Sequence, residues 1–441
     1  MLPRESELYR LTASEVTNHL RLGDLTVEAY VRSLLSRIEA REPLVKAWAY
    51  VDPALIISQA QQLDQVPPHL RGLLHGIPIG VKDVIYTIDM PTKHNSPIHE
   101  GSETRLDAAV VTILRKAGAL IFGKTATAQF AAIHDGPATR NPHDLTRTPG
   151  GSSSGSAAAV ADFHIPIALG TQTAGSIVRP AAFCGVYGMK PTWGAVSLEG
   201  VKLVSGILDT IGIFARSVED LQLMADIFQC RDDIIPQSID IKTSRFGILK
   251  TAMWKHAQPA TVKSLEAAAQ LLESQGASVK EITLPSDFND LHLWQQQTMY
   301  TDIAVTHYSN YLTAKDKLPA SLIGHVENGQ RHTHSTKLNA MDSIARLRPV
   351  IDEILSRYTA VLTPSTTGEA PVGFYTGYPV FNTFWTALHT PVINLPGFGG
   401  QEGLPVGLSI VTSRYRDQHL LKVAKELGPL FQSRGGWQSS L

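Results

Sequence analysis

Among 441 residues there are only two cysteines, Cys184 and Cys230, and charged side chains make up 18% of the chain, against the roughly 25% usual in soluble domains. Two thiols are too few for a disulfide framework at this length. The 39 basic and 40 acidic side chains leave a formal net charge of −1, with no long basic run. Such a chain lacks the electrostatic footprint by which proteins hold nucleic acid or an anionic membrane, so neither is expected as a partner, and a small uncharged substrate fits better. No stretch of 18 or more residues stays apolar. The densest, Ile165 to Ala182, is broken by Gln172, Arg179 and Pro180, so no segment is expected to span a bilayer. The start MLPRESELYRL carries charges where a signal peptide needs an apolar run, which makes the cytoplasm the expected compartment. Metal-ligand patterns are missing too: there is no His-Glu-x-x-His and no Cys-x-x-Cys. His325, His332 and His334 lie near one another without a carboxylate at the usual spacing, and read as a solvated polar loop, so no metal is expected.

What is present is apolar material enough for a sizeable core, 43% of residues. Thr12 with Glu15 forms a capping box and Gly23 a C-terminal stop, giving a first short helix. Val27, Tyr30, Val31, Leu34, Leu35 and Ile38 repeat at three and four, which predicts a helix over 27–41 that stops before Pro43. Short β-like runs follow at 77–83, 119–123, 165–170, 245–250, 360–364, 391–396 and 405–411. Helical stretches at 105–117 and 259–275 are the clearest of those between them. Strands alternating with helices predict a single large α/β domain, residues 1–441, opening with a helical segment over 1–70. Residues 286–345, richer in His, Gln, Asn and Tyr and without strand signals, suit either an insertion covering one edge of a pocket or a solvated excursion.

Residues 148–176 differ from the rest: 19 of 29 are Gly, Ala, Ser or Thr, and Asp162 is the only formal charge. Small side chains let backbone amides approach one another and a ligand, as an oxyanion-binding nest requires. A flexible linker is the alternative, but Ala157 to Ala161 signals a helix and 165–170 a strand.

Two motifs mislead. Residues 118–125, GALIFGKT, match the phosphate-loop pattern letter for letter, yet Ala119 to Phe122 read as the strand itself, leaving no loop; Lys124 is then a strand-end residue. Gly151-Ser152-Ser153-Ser154-Gly155 matches the G-x-S-x-G nucleophile elbow with Ser153 at its centre, but NPHDLTRTPGG precedes it where an elbow needs a strand.

Three segments read together are more specific. They are Gly76-Ile77-Pro78-Ile79-Gly80-Val81-Lys82-Asp83, then Gly150 to Ala158, then Gly170-Thr171-Gln172-Thr173-Ala174-Gly175-Ser176 continuing through Arg179-Pro180 to Pro191-Thr192. Here the chain resembles the amidase signature family of serine hydrolases, most strongly over about 71–225. The resemblance implies a mixed, twisted central sheet flanked by helices, with Ser176 as nucleophile, Ser152 as the bridging serine, usually preceded by a cis peptide, and Lys82 as base. It places the oxyanion hole at Thr173, Ala174, Gly175 and Ser176, and gives Ser153, Arg179 and Asp209 supporting roles. Residues near Tyr300, Tyr308, Phe381, Phe384 and Trp385 either line the acyl pocket or are core. Gln172 and Ala174 stand where many relatives have Asp and Gly.

The chemistry follows from the side chains as well. A serine hydroxyl is a poor nucleophile until a base takes its proton, and a buried neutral lysine is such a base. Neutrality at pH 7 to 8 asks for a pKa about 2 to 3 units below normal. The implied activity is hydrolysis of a C–N bond in a small amide or urea-like molecule, with water as second substrate, no cofactor, and a homodimer left open. Alternatives are the catalytic subunit of a glutamine-dependent tRNA amidotransferase and a non-catalytic homologue.

Overall fold

The computed structural model describes residues 3–328 and 332–441. Its frame is one mixed sheet of 11 strands: β1 (Trp48–Tyr50), β2 (Pro78–Lys82), β3 (Leu120–Thr125), β4 (Ile167–Gln172), β5 (Tyr187–Lys190), β6 (Thr210–Ala215), β7 (Arg245–Leu249), β8 (Ser278–Ile282), β9 (Ala360–Pro364), β10 (Val392–Gly399) and β11 (Pro405–Val411). The spatial order is β1-β3-β2-β4-β6-β5-β10-β11-β9-β7-β8. Strands β3, β2 and β4 are mutually parallel, as are β9, β7 and β8, and the strands between run antiparallel. All seven apolar runs of the sequence are strands. Four strands escaped that reading, β1, β5, β6 and β8, and β1 sits inside the N-terminal segment expected to be helical.

Among the described residues fourteen α-helices surround the sheet. The first, α1 (Ala13–Leu22), starts at the capping box, Thr12 accepting from Glu15 N–H and the Glu15 carboxylate from Thr12 N–H, and ends at left-handed Gly23. Its successor α2 spans Val27–Val45, four residues past the expected end, with Pro43 inside. Pro43 removes only the bond that Glu39 C=O would accept, and Glu39 is exposed to water, while buried Val45 anchors the last turn. Then come α3 (Pro53–Asp64), α4 (Ala109–Lys116), α5 (Ser154–Ala161), α6 (Val178–Cys184), α7 (Val218–Ile227) and α8 (Pro259–Ser274). The 286–345 segment holds α9 (Leu291–Thr306), α10 (Tyr308–Ala314), α11 (Ala320–Val326) and the first half of α12 (His334–Leu355). Helices α13 (Val380–Ala387) and α14 (Asp417–Arg434) complete the set. Among the described residues no helix is long and apolar enough to cross a membrane.

Small residues explain how α5 lies so close to the sheet. A Cβ on Gly155 would sit 2.1 Å from Ala47 O and 2.3 Å from Ala126 N, so only glycine permits the approach. Over 148–176 every residue except Phe163 is buried. The one charge there, Asp162, is held by Arg37 at 2.7 Å, Arg41 at 2.9 Å and His164 at 3.2 Å.

Candidate active site

Because β2 and β4 are parallel neighbours, their C-terminal ends lie at one edge of the sheet, the place where open α/β sheets form ligand crevices. Lys82 is the last residue of β2. Beyond Gln172, the last of β4, the chain turns through Thr173–Ser176 into α6. Ser152 enters from the turn before α5, after a cis Gly151–Ser152 peptide bond.

Lys82 is fully buried. Its Nζ lies 2.8 Å from Ser152 Oγ, 2.8 Å from Thr171 Oγ1 and 3.4 Å from Thr171 O. A neutral amine has two N–H donors and one lone pair, which matches three partners: Thr171 takes the hydrogens and Ser152 can donate to the lone pair. Burial pushes the lysine down to about 7, with the Asp209 carboxylate opposing and Arg179 assisting. Thr171 was not singled out by sequence; its place at the end of β4, beside the motif glycines, was the available signal. Ser153 fixes it, donating to Thr171 O at 3.2 Å and accepting from Thr171 N–H at 3.3 Å. That hydroxyl is buried and outside the cavity, unlike the exposed nucleophile of an elbow.

Ser152 and Ser176, 3% and 8% exposed, both line a cavity of about 110 Å³ together with Thr173, Ala174 and Arg179. No hydrogen bond joins the two serine hydroxyls among the described residues. The N–H groups of Thr173, Ala174, Gly175 and Ser176 likewise donate to no acceptor among them, although the loop is buried. Four consecutive amides without acceptors are the raw material of an anion-binding nest. Gly175 leaves room for Asn382, whose Oδ1 a Cβ there would meet at 2.5 Å.

Gln172 satisfies the start of helix α6. Its Oε1 accepts from Ile177 and Val178 N–H at 2.9 and 3.1 Å, and its Nε2 donates to Thr386 Oγ1 at 3.0 Å. Asp209 receives the Thr173 hydroxyl and the N–H of Val204 and Ser205, and burial raises it to about 6. Arg179 donates to Gly151 O at 2.6 Å and Gly377 O at 2.8 Å, while its buried Nε has no partner. Burial pushes the guanidinium down to about 10.

The opposite wall comes from the 286–345 segment: Met299, Tyr300 and Ile303 on α9, Ser321 and His325 on α11. Of the aromatic candidates only Tyr300 reaches the cavity. Tyr308 is exposed, and Phe381, Phe384 and Trp385 are buried side chains of α13, the last two in a core cluster with Leu347 and Ile351 of α12. His325 stacks on Tyr300, while His332 and His334 line an adjoining outer cavity. Among the described residues no group of three His, Cys, Asp or Glu side chains could hold a metal ion. Lys124, in the phosphate-loop look-alike, is the penultimate residue of β3, the expected strand-end position; it is fully buried and donates to Ile85 O and Thr92 Oγ1.

A family model described as Amidase matches residues 29–421. The A subunit of the glutamyl-tRNA(Gln) amidotransferase from Symbiobacterium thermophilum is 32% identical, over 94% of this chain and 95% of that one. A crystal structure described as an amidase aligns with a TM-score of 0.85 at 28% identity, covering 96% of this chain and 100% of the other. The peptide amidase of Stenotrophomonas maltophilia gives 0.81 at 26% identity, covering 97% of each. With the family match running through both parallel strand ends and the loop between them, the chain belongs to the amidase family.

Proposed function

We propose that this protein hydrolyses the C–N bond of a small linear amide or urea-like substrate through an acyl-enzyme on Ser176. Ser176 Oγ attacks the carbonyl carbon as its proton passes through Ser152 to neutral Lys82. The C–N bond then breaks, and the proton returns through Ser152 to the departing nitrogen, releasing ammonia or an amine. Water, deprotonated by the same relay, attacks the acyl-enzyme and frees the acid and Ser176. The Ser152–Ser176 link closes when substrate fills the cavity, since catalytic hydrogen bonds are commonly long before substrate binds. The run of four free amides over Thr173–Ser176, beside a buried Lys82–Ser152 pair, is the observation that carries this reading. One such donor is typically worth about 3 to 4 kcal/mol to the transition state.

The low net charge favours an uncharged substrate, but Arg179 supports an anionic one instead. A buried guanidinium that lines the cavity and is held only by neutral oxygens suits an amide carrying a carboxylate near the scissile carbonyl. In this reading residues 71–225 are the catalytic core, and 286–345 is the segment that shapes the substrate site.

The test is ammonia release by the purified chain from a panel of neutral and anionic amides and ureas. Turnover by the chain alone, lost in Ser176→Ala and reduced in Arg179→Met more for anionic than for neutral amides, is the expected result; near-normal turnover in Ser176→Ala ends the mechanism. The similarity to the Symbiobacterium amidotransferase chain supports a second reading, a protein releasing ammonia from glutamine for a partner. Glutaminase activity that appears only with a copurifying partner would select it.

A further inference from the structure

We propose that Gln295, on the segment outside the signature motifs, is a positioning residue that sets the oxyanion loop; this rests on the reading of Thr173–Ser176 given above. Gln295 Nε2 donates to Thr173 O at 3.0 Å, reaching from α9 across the cavity wall. In a trans peptide the C=O and the following N–H point in opposite directions. Holding Thr173 O therefore fixes where Ala174 N–H points. The next peptide is held from the other flank: Thr386 on α13 donates to Ala174 O at 2.9 Å, which fixes Gly175 N–H, and Gln172 Nε2 orients the Thr386 hydroxyl. Each of two consecutive loop amides is thus aimed by a side chain bonded to the carbonyl before it.

The tie at Gln295 carries a structural cost. The residue is fully buried, and its Oε1 has no hydrogen-bond partner, an arrangement that works against folding. An aliphatic side chain of similar size would remove that orphan but leave Thr173 O without its donor. The carboxamide thus places its donor on the one carbonyl that orients Ala174. The same helix also presents Met299 and Ile303 to the cavity. An acyl group packed on them bears on the element that aims the amide, so occupancy of the acyl site and oxyanion geometry share one helix.

The experiment measures inactivation by a small alkyl fluorophosphonate, whose phosphoryl oxygen sits where the oxyanion forms, for wild type, Ser176→Ala, Gln295→Leu and Gln295→Glu between pH 6 and 9. Gln295→Leu should lower the maximal inactivation rate roughly ten- to a hundredfold at every pH, with the half-saturating concentration within about twofold. Gln295→Glu separates positioning from packing. Its carboxylic acid, raised by burial, donates to Thr173 O only while protonated. Its rate should therefore fall on the alkaline side, where neutral Lys82 makes the wild type fastest. Wild-type rates and pH profiles in both Gln295 variants, with Ser176→Ala inert, overturn the inference alone. An unlabelled wild type overturns the underlying mechanism instead. If Gln295→Leu fails to fold, the pH profile of Gln295→Glu decides.

Discussion

Lys82 brings opposed demands to a single residue: its burial makes a base, and the same burial works against folding. With its pKa near 7, the fraction of neutral amine grows through neutrality, so kcat/KM should rise with pH to a plateau above about 8. Lys82→Ala should lower activity by orders of magnitude and steepen its dependence on alkaline pH; a variant with near-normal rates and an unchanged profile contradicts the assignment. The stability consequence has a definite sign. Between about 7 and the ordinary lysine value, the unfolded chain holds a proton at this position that the folded chain does not, so stability rises with pH across that window. Lys82→Met removes this contribution, while buried Lys190 and Lys124, at about 7 and about 8, keep theirs. The gain in denaturation midpoint from pH 7 to pH 9.5 should therefore be smaller in Lys82→Met than in wild type, and an equal gain contradicts the burial argument. The lysine and both serines were legible because they sit in three recognisable motifs. Thr171 and Gln295 were not, because each acts through one hydrogen bond to backbone or amine, and no spacing rule encodes that.

At the scale of elements, the small-residue stretch is what places Ser152 beside Lys82. Helix α5 approaches the sheet over Gly155, and Gly155→Ala forces its Cβ against Ala47 O; overpacking of this kind costs about 1–3 kcal/mol. Denaturant unfolding should show that loss, together with reduced turnover as Ser152 shifts, and wild-type stability would contradict the packing account. The single charge of the stretch is equally constrained: Asp162→Asn leaves Arg37 and Arg41 facing a neutral side chain, with an expected loss of about 2–3 kcal/mol, reduced because both arginines reach solvent. The strands visible in sequence were those buried on both faces, which read as continuous apolar runs. Strand β8 was missed because three of its five residues, Ser278, Lys280 and Glu281, are exposed; β6 was passed over although it is buried throughout like the strands that were read. Pro43 misled by the opposite route, since a helix tolerates proline where the freed carbonyl faces water.

The whole molecule encloses its site between two bodies of sequence, the motif-bearing strand ends on one side and α9 and α11 on the other. The cavity of about 110 Å³ is small beside the roughly 300–1,000 Å³ of drug-sized ligand pockets. Amides with acyl groups of two to four carbons should thus exceed eight-carbon homologues in kcat/KM by at least about tenfold, and equal rates would place the acyl group elsewhere. The low overall charge takes a local form here: Arg179 and Asp209, both buried at the site, are fixed by neutral partners and act in opposite directions on buried Lys82. The central claim is that Ser176 carries the acyl group. Its most direct test is intact-mass and peptide-mapping analysis after reaction with a small fluorophosphonate near pH 8. The account predicts one adduct per chain, on the peptide containing Ser176, absent from Ser176→Ala. An adduct on Ser152 or Ser153, or undiminished labelling of Ser176→Ala, would contradict it.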